Sequence, residues 1–474
     1  MNYTAEVEAR RSLGLRPQTG HVWAAAMAGR RLRRLQPHEG GMTAAALSRK
    51  CLLLFVAYSA IHLWVSQTMG WLPESVDDVL YAAALLAGIP VILARRPSSR
   101  KLRKVQWFVV AYVLYCALTL VSGLTSGSTS GLLGIRDYLQ FSVLPLYLFL
   151  LSPPPAEMRK TLRLFLGLFV LIALTAVVGT FVPNTGFQRI YTDAQNPTMM
   201  RVIGTVGTPN TLAILMVLAS IVLLAMFLHS DTQSRWVLSG ALLSLFAFAV
   251  IVSLSRSGVL MLPLMLLLEV VLYLCLCSGE RFGTRGRMLL RLLRWTAVLL
   301  PAAVVAGFVM HYMEVDNLLL ERVTTRLFAT GSLIAARSDV WTYQLPEDIG
   351  ERLLGHGVGA VSRTSAFAAS SGERAVFDSY WLKVYLEQGL LGLVLFGFIL
   401  FDIGARCWRL AFVRSTAVFG IAALVSVLFV AVSGVYTTVF DVYPVSVFVW
   451  YGFGCVLIVD GRIRVATPLR ARLA

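Results

Sequence analysis

Long apolar runs separated by short polar stretches dominate the chain. A helix needs about twenty mostly apolar residues to cross the hydrocarbon core of a membrane. Twelve runs approach or reach that length, the fourth being short and interrupted by Pro145: 51–69, 76–94, 105–123, 138–151, 162–182, 209–228, 236–254, 258–277, 295–312, 379–401, 415–434 and 442–459. The pattern predicts an all-α polytopic integral membrane protein with about 12 transmembrane helices.

The positions of the basic residues predict which side of the membrane each loop faces. With the N-terminus inside, 31 of the 42 Lys and Arg residues fall in the segments predicted to be cytoplasmic. This positive-inside bias predicts a multi-pass protein of the bacterial inner membrane with both termini in the cytoplasm. The first fifty residues contain no apolar region followed by a small-residue cleavage site, so we expect a cytoplasmic arm there and not a signal peptide.

Composition excludes a soluble protein. Hydrophobic residues make up 57% of the chain and charged residues only 14%, whereas an average soluble domain has about a quarter charged residues. The net charge of +17 would suit a nucleic-acid binder, but no single soluble domain carries it, so nucleic acid is not an expected partner. The six cysteines lie in or beside apolar runs without disulfide or zinc-ligand spacing, and no metal or cofactor is predicted.

Two long segments fall on the predicted periplasmic side. Loops of such length are usually functional. Helical-looking stretches around a GHGVG turn predict a large extra-cytoplasmic helical loop between helices 9 and 10. We therefore expect a basic N-terminal arm (1–50), helices 1–9 (51–312) with an outer loop (183–209), a large periplasmic loop (313–377), helices 10–12 (378–459) and a basic tail (460–474).

Arginines on the predicted outer side need an explanation, because the positive-inside rule makes bases rare there. Arg256 lies in a short SLSRSG hairpin at the edge of the hydrocarbon. It either snorkels to lipid headgroups or clamps a phosphate with its planar guanidinium. Arg201 precedes the segment 204–210, in which Thr208 or Asn210 could cap the sixth helix. The positive end of that helix favours an anion between it and Arg201.

Further candidates lie near the same side. Arg337 stands four residues before Trp341 on a predicted helix, so the guanidinium could stack on the indole. Arg136 is followed by Asp137, and an ion pair between the two explains it as well as a ligand contact does. Asp378 lies at the outer start of the tenth run, where a carboxylate is favoured by the helix dipole and a plain N-cap is the simpler explanation.

Lys383 and Glu387 are four residues apart inside the tenth apolar run and could pair with each other. The motifs of several common enzyme classes are missing from the sequence. It contains no Walker A loop, no HExxH zinc motif and no GxSxG elbow. The outward arginines and the carboxylates near them are therefore the candidates for the chemistry.

Five short motifs follow one another in a distinctive order. They are R-x-x-G-T-x-G-T-P-N at 201–210, S-x-S-R-S-G at 253–258, R-x-D-x-W at 337–341, G-x-G-x-G at 355–359, and D-S-Y followed by E-x-G-L-L-G within 378–392. This order, on one predicted side of the membrane, resembles the O-antigen ligase and Wzy-type polysaccharide polymerase superfamily over roughly residues 195–400.

The resemblance implies a metal-independent glycosyltransferase that acts outside the inner membrane on glycans linked to undecaprenyl diphosphate. By resemblance, Arg201, Arg256 and Arg337 are expected to bind the diphosphate, with Arg136 as a further candidate. In ligases of the superfamily a histidine commonly begins an H-N-x-Y-L segment. Asp378 stands at the matching position here, which favours a polymerase.

The expected reaction transfers a growing glycan from its lipid diphosphate to a new lipid-linked repeat unit, in O-antigen, capsule or exopolysaccharide synthesis. Arginines would stabilise the charge on the leaving diphosphate without a metal. A positioned base must accept the proton of the acceptor hydroxyl. Asp378 is the first candidate base, with Glu373 and His356 behind it, and Trp341 and Tyr380 are candidates for stacking on sugar rings.

Two alternative functions stay open. A ligase would transfer the finished glycan to lipid A core or another acceptor. A secondary transporter or a flippase for lipid-linked oligosaccharides would show internal repeats and broken helices near the midplane. The two halves of the chain show no convincing repeat, and the ionisable residues gather at the outer edge. Membrane lipids are expected partners, with a chain-length regulator and a flippase as further candidates.

Overall fold

The computed structural model describes residues 39–62, 65, 76–95, 103, 105–125, 129–182, 186–193, 196–229, 233–276, 348–360, 379–413 and 415–471. Most of the N-terminal arm, the predicted ninth crossing and most of the large predicted periplasmic loop lie outside these residues. Four predicted site residues lie outside them as well: Arg337, Trp341, Glu373 and Asp378.

The described residues form thirteen α-helices and one two-stranded antiparallel sheet. In chain order these are α1 Glu39–Ser59, α2 Val76–Arg95, α3 Gln106–Thr125, α4 Thr129–Leu139, α5 Leu144–Leu151, α6 Pro155–Phe181, β1 Gln188–Asp193, β2 Asn196–Val202, α7 Pro209–His229, α8 Gln233–Val252, α9 Arg256–Leu276, α10 Ile349–Leu354, α11 Tyr380–Ala411, α12 Ala417–Ser433 and α13 Val445–Ala471. A short 3₁₀ turn, Gly204–Val206, joins β2 to α7.

Six of the described helices are long and apolar enough to cross a membrane: α3, α6, α7, α9, α11 and α13. Four others, α1, α2, α8 and α12, contain shorter apolar stretches of 10–17 residues. Large apolar side chains such as Leu93, Leu264 and Phe401 are exposed on the surface of the protein, which suits contact with lipid. The predicted class of a helical membrane protein is supported, whereas the count of twelve crossings stays a prediction.

Contacts between distant parts of the chain define two ends of the helical bundle. At one end, Thr205 donates a hydrogen bond to the Ala60 carbonyl oxygen (2.9 Å), and the rings of His62 and Tyr443 lie 5.3 Å apart. This end carries the β1–β2 hairpin and is called the hairpin end below. The turns before α7, α9 and α13 all lie there, as expected for segments predicted to share one side of the membrane.

Buried ion pairs join α11 to α13 at the opposite end of the bundle. The Arg406 guanidinium lies 2.7 Å from Asp402 on the same helix and 2.8 Å from Asp460 on α13. The side chains of Arg406 and Asp460 are only 3% and 5% exposed, and that of Asp402 is 16% exposed. Removing one partner of such a buried pair costs about 3–5 kcal/mol, so this network fixes the two helices against each other.

The segment 183–209, expected to be an outer loop, contains the β1–β2 hairpin. Arg189 is the direct cross-strand partner of Arg201 in this hairpin. The sequence between the strands is Ala194-Gln195, which lacks the Asn-Gly or Asp-Gly signal that usually marks a two-residue hairpin loop. The hairpin therefore could not be recognised from its turn.

The predicted fourth crossing, 138–151, is divided between the end of α4 and the whole of α5, with a turn at 140–143 between them. Pro145 lies in the first turn of α5, where its missing N–H would have had no helical partner in any case. The proline noted in the sequence thus marks the start of a helix after a break.

Candidate functional site

The structure brings two of the sequence motifs together at the hairpin end. Arg201 donates from Nε and Nη2 to the carbonyl oxygen of Ser253 (3.3 and 3.2 Å) and from Nη2 to that of Leu254 (3.1 Å). Arg256 follows as the first residue of α9. Arg201 is therefore attached to the short turn that carries Arg256.

That turn between α8 and α9 is held by its own serines. Ser253 Oγ donates to the Val250 carbonyl oxygen (2.6 Å) and accepts from the backbone N–H of Ser255 (3.2 Å). Ser255 Oγ donates to Asn210 Oδ1 on α7 (3.0 Å). Leu254 has a left-handed φ of 53°, which is rare for a residue with a side chain. The turn is thus held by hydrogen bonds to α8 on one side and to α7 on the other.

Arg201 has protein partners at the end of α8. Its guanidinium binds the two carbonyl oxygens that follow α8, which ends at Val252. The anion expected between Arg201 and the positive N-terminal end of α7 stays a prediction. The C-terminal end of a helix carries a partial negative charge, so a cation is stabilised there.

The start of α7 agrees with the capping prediction. The Thr208 hydroxyl accepts a hydrogen bond from the backbone N–H of Thr211 (3.2 Å), and Pro209 begins the helix. Threonine before the first turn and proline at its first position are both favourable. The cap is therefore Thr208, while Asn210 serves as the acceptor for the α8–α9 turn.

A second contact joins the GHGVG turn to α11. This helix breaks at Gly389, which has φ 65° and ψ −165°, a conformation essentially restricted to glycine. Two backbone N–H groups of the turn bind helix carbonyl oxygens just before the break. His356 N donates to Leu386 O (2.8 Å), and Gly357 N donates to Glu387 O (3.1 Å).

Glycines allow the two backbones to approach this closely. Gly355 has a left-handed φ of 76°, and a Cβ there would overlap the main chain of α11 at 387–388. A Cβ at Gly389 would overlap the main chain of α10 and its end at 353–354. The GHGVG turn and the E-x-G segment, two separate motifs in the sequence, are therefore one structural unit.

His356 lies on the outside of this unit. Its side chain is exposed, with Nδ1 3.5 Å from Glu351 Oε1 on α10. The backbone after it is anchored, because the buried Val358 donates its N–H to Ser122 Oγ on α3 (3.0 Å). Ser122 Oγ in turn donates to the Glu387 carbonyl oxygen (3.3 Å). The imidazole is thus accessible while its backbone is fixed.

A buried ion pair lies in the first turns of α11. Lys383 Nζ is 2.6 Å from Asp441 Oδ2, and it lies 4.9 Å from the centre of the Tyr138 ring. Asp441 reaches Lys383 from the α12–α13 connection, so the lysine has a partner outside its own helix. The pairing with Glu387 that the spacing allows stays a prediction.

The structure places two other predicted site residues among protein side chains. Tyr380 is 2% exposed, and its ring centre lies 5.2 Å from that of Phe396 and 4.9 Å from that of Phe440. Stacking of Tyr380 on a sugar stays a prediction. Arg136 binds Asp78 on α2 (2.6 Å) and not its neighbour Asp137. Its side chain remains 47% exposed.

The sequence reasoning missed the contributions of Asp441 and Ser122. Asp441 is the only acidic residue between positions 402 and 460, so its isolation in an apolar region was the available signal. No local pattern distinguishes Ser122 from the other serines near helix ends. Within the part of the chain that the structure describes, no group of three or more His, Cys, Asp and Glu side chains could hold a metal ion.

Comparison with known proteins gives no family assignment: no protein-family model matches the chain, and no curated protein matches it. The resemblance to the O-antigen ligase and polymerase superfamily rests on the motifs of this sequence.

Proposed function

We propose that the chain is a Wzy-like polysaccharide polymerase of the bacterial inner membrane. It would transfer a growing glycan from undecaprenyl diphosphate to a lipid-linked repeat unit at the periplasmic face, without a metal. The observation that carries this proposal is the attachment of Arg201 to the turn that bears Arg256. Two motif arginines from separate segments thus belong to one small region at the end of an apolar bundle. A lipid diphosphate, which lies at the membrane surface, would be at the level of such an end.

Arg256 is the first candidate for direct contact with the diphosphate. It is the first residue of the 21-residue helix α9, whose N-terminus carries a partial positive charge that favours an anion. Arg201 would hold the turn, because its Nε and Nη2 donate to carbonyl oxygens there. In the hairpin register, Arg189 is the cross-strand partner of Arg201.

The proposed reaction needs a charge acceptor and a proton acceptor. The bond between the anomeric carbon and the diphosphate oxygen breaks, the acceptor oxygen bonds to that carbon, and the diphosphate leaves with the electron pair. Preorganised arginines stabilise this charge as it develops. The proton of the acceptor hydroxyl passes to a base, for which Asp378, Glu373 and His356 remain the candidates.

One observation favours a second function, transport of a lipid-linked glycan. Helix α11 is broken at Gly389, and both Lys383 and Glu387 are buried near the break. Transporters often build their substrate sites from discontinuous helices with ionisable residues beside them. The same purified protein can be tested for both functions.

The deciding experiment uses the purified protein in lipid vesicles with the undecaprenyl-diphosphate-linked repeat unit as the only substrate. A ladder of longer glycans supports the polymerase. Product that forms only after a second acceptor is added indicates a ligase, and movement of unaltered substrate across the bilayer indicates transport. Arg256→Ala should abolish the ladder, whereas Arg163→Ala, which removes an exposed arginine at the opposite end of the bundle, should leave it intact.

A further inference from the structure

Helix α10 separates its apolar side chains from its charged ones. Successive residues of a helix are about 100° apart, so Ile349, Leu353 and Leu354 share one side of this six-residue helix. Glu351 and Arg352 lie on the other side. The three apolar residues are exposed, by 72%, 49% and 55%. Such a division of side chains is typical of a helix that lies at a boundary between an apolar and a polar phase.

Close packing holds α10 beside the break in α11. A Cβ at Gly389 would overlap the main chain at 353–354, so the two backbones are in contact there. The residues of α11 before the break are buried or half-buried, whereas Leu390, Leu391 and Val394 directly after it are exposed by 47%, 44% and 58%. The apolar side of α10 therefore continues the apolar surface of α11, a helix long and apolar enough to cross a membrane.

The end of a second candidate span gives the level of this contact. Helix α3 ends at Thr125. One turn earlier, Ser122 Oγ accepts from the backbone N–H of Val358 in the GHGVG turn (3.0 Å) and donates to the Glu387 carbonyl oxygen on α11 (3.3 Å). The last turn of α3, the GHGVG turn and the break in α11 thus meet at one level. A membrane span ends near the surface of the hydrocarbon, which is the level of an interfacial helix.

We propose that α10 is an interfacial helix whose apolar side, formed by Ile349, Leu353 and Leu354, binds the acyl chains of the surrounding membrane lipid. The continuity of this side with the apolar surface of α11 carries the proposal. Helix α10 falls within the segment 313–377, which was predicted to be a periplasmic loop, and it lies in the membrane boundary. The lipid contact of α10 goes beyond the proposed function and does not depend on it.

Lipid suits this surface better than a protein partner does. The exposed residues of α11 that adjoin α10 belong to a candidate span, so acyl chains are their surroundings in a membrane. A stable protein–protein interface takes about 20–30 residues from each partner, far more than the six of α10. Contact with lipid needs no such area, because lipid already covers the adjoining surface.

The lipid contact has a consequence for His356, which follows α10 by two residues. Its backbone N–H is bound to the Leu386 carbonyl oxygen (2.8 Å), and its side chain is exposed. An α10 anchored in lipid holds this imidazole at the membrane surface. That is also the level of the diphosphate of a lipid-linked substrate.

Photo-crosslinking identifies what covers α10. The photoreactive residue p-benzoylphenylalanine replaces Leu353 in the full chain, which is reconstituted without substrate in vesicles of phosphatidylcholine and phosphatidylglycerol and irradiated. Mass spectrometry should show an adduct heavier than the protein by one phospholipid. The matched control replaces Glu351, on the charged side of the same helix, and should give little of this adduct. Replacement of Phe401, 71% exposed on α11, is the positive control for contact with lipid.

Spin labelling supplies a second measurement, which decides the matter if the photoreactive variants fail to accumulate. The six native cysteines are replaced by alanine, and a nitroxide is attached to Leu353→Cys or to Glu351→Cys. Oxygen concentrates among acyl chains, whereas a water-soluble nickel complex stays outside them. Oxygen should relax the label at 353 more strongly than nickel does, and the order should reverse at 351.

A lipid adduct at 353 that is nearly lost at 351 supports the proposal. A crosslink between two chains at 353 would show that a second copy covers α10, and a crosslink within one chain would show that another segment does; either result overturns it. Equal lipid adducts at 351 and 353, or nickel-dominated relaxation at both, also overturn it, because α10 would then have no lipid-facing side. The vesicles contain no glycan, so a failure of the proposed polymerase reaction is measured separately and leaves these outcomes unchanged.

Discussion

Replacing Gly389 by alanine tests whether the break in α11 and the GHGVG turn depend on each other. The variant adds a single methyl group and no charge. Gly389 lies at φ 65° and ψ −165°, and the main chain at 353–354 occupies the space that its Cβ would need. The substitution therefore changes both the backbone preference at the break and the contact with α10.

The magnitude follows from two contributions. Holding a residue other than glycine in this conformation costs about 1–3 kcal/mol. Displacement of 353–354 also breaks the bonds from His356 N to Leu386 O and from Gly357 N to Glu387 O, each worth about 0.5–1.5 kcal/mol. The attachment of the turn to α11 should therefore be weakened by about 2–6 kcal/mol.

Thermal unfolding in detergent, followed by tryptophan fluorescence at one fixed scan rate, measures the effect. Gly397→Ala is the control on the same helix, because among the described residues no atom beyond the adjoining backbone of α11 lies within 4 Å of the place that a Cβ would take. Alanine is the better helix former by about 1 kcal/mol, so this control should unfold at the wild-type temperature or above it. Limited proteolysis around 348–360 should report release of the turn in Gly389→Ala.

An unfolding midpoint for Gly389→Ala equal to that of Gly397→Ala would refute the reasoning. It would mean that α11 can form a regular helix through position 389. The contact with the GHGVG turn would then not be what maintains the break. A lower midpoint with unchanged proteolysis would refute only the link to the GHGVG turn.

Three further predictions concern other contacts, and all can be measured as unfolding midpoints in detergent. Arg201→Gln should lower stability by about 1.5–3 kcal/mol, because a charged donor to the α8–α9 turn is lost, and Arg201→Lys should recover part of it. Thr208→Ala should cost about 1 kcal/mol by removing the cap of α7, whereas Thr208→Ser keeps the hydroxyl and should cost little; equal losses would argue against the cap. Asp460→Asn should cost about 3–5 kcal/mol and more than Asp402→Asn, because Asp460 is the more buried carboxylate and joins two helices; the reverse order would contradict this account.

The apolar pattern predicted several of the described helices. A segment in hydrocarbon must satisfy its backbone hydrogen bonds internally, so a long apolar run has few options besides a helix. The run 209–228 corresponds to α7, Pro209–His229, within one residue at its C-terminal end. The Thr208 cap was also predictable, because its partner lies three residues away. Such features depend on neighbours in the chain.

The candidate site was predictable as a set of motifs but not as an arrangement. The order of the motifs comes from the sequence alone. Their mutual contacts do not, as the GHGVG turn shows: its partners on α11 are recognisable only once the break at Gly389 is seen. The β1–β2 hairpin was missed because the two residues between its strands carry no turn signal.

What the sequence by itself determined is thus the class of a helical membrane protein and the approximate positions of several apolar helices. The tertiary structure decided which charges meet. Arg201 binds carbonyl oxygens 52 and 53 positions away, and Lys383 pairs with Asp441, 58 positions away. Both contacts depend on how the helices pack against each other, which no local pattern encodes. A side chain can bind any partner that the folded bundle brings within reach, whatever the separation along the chain.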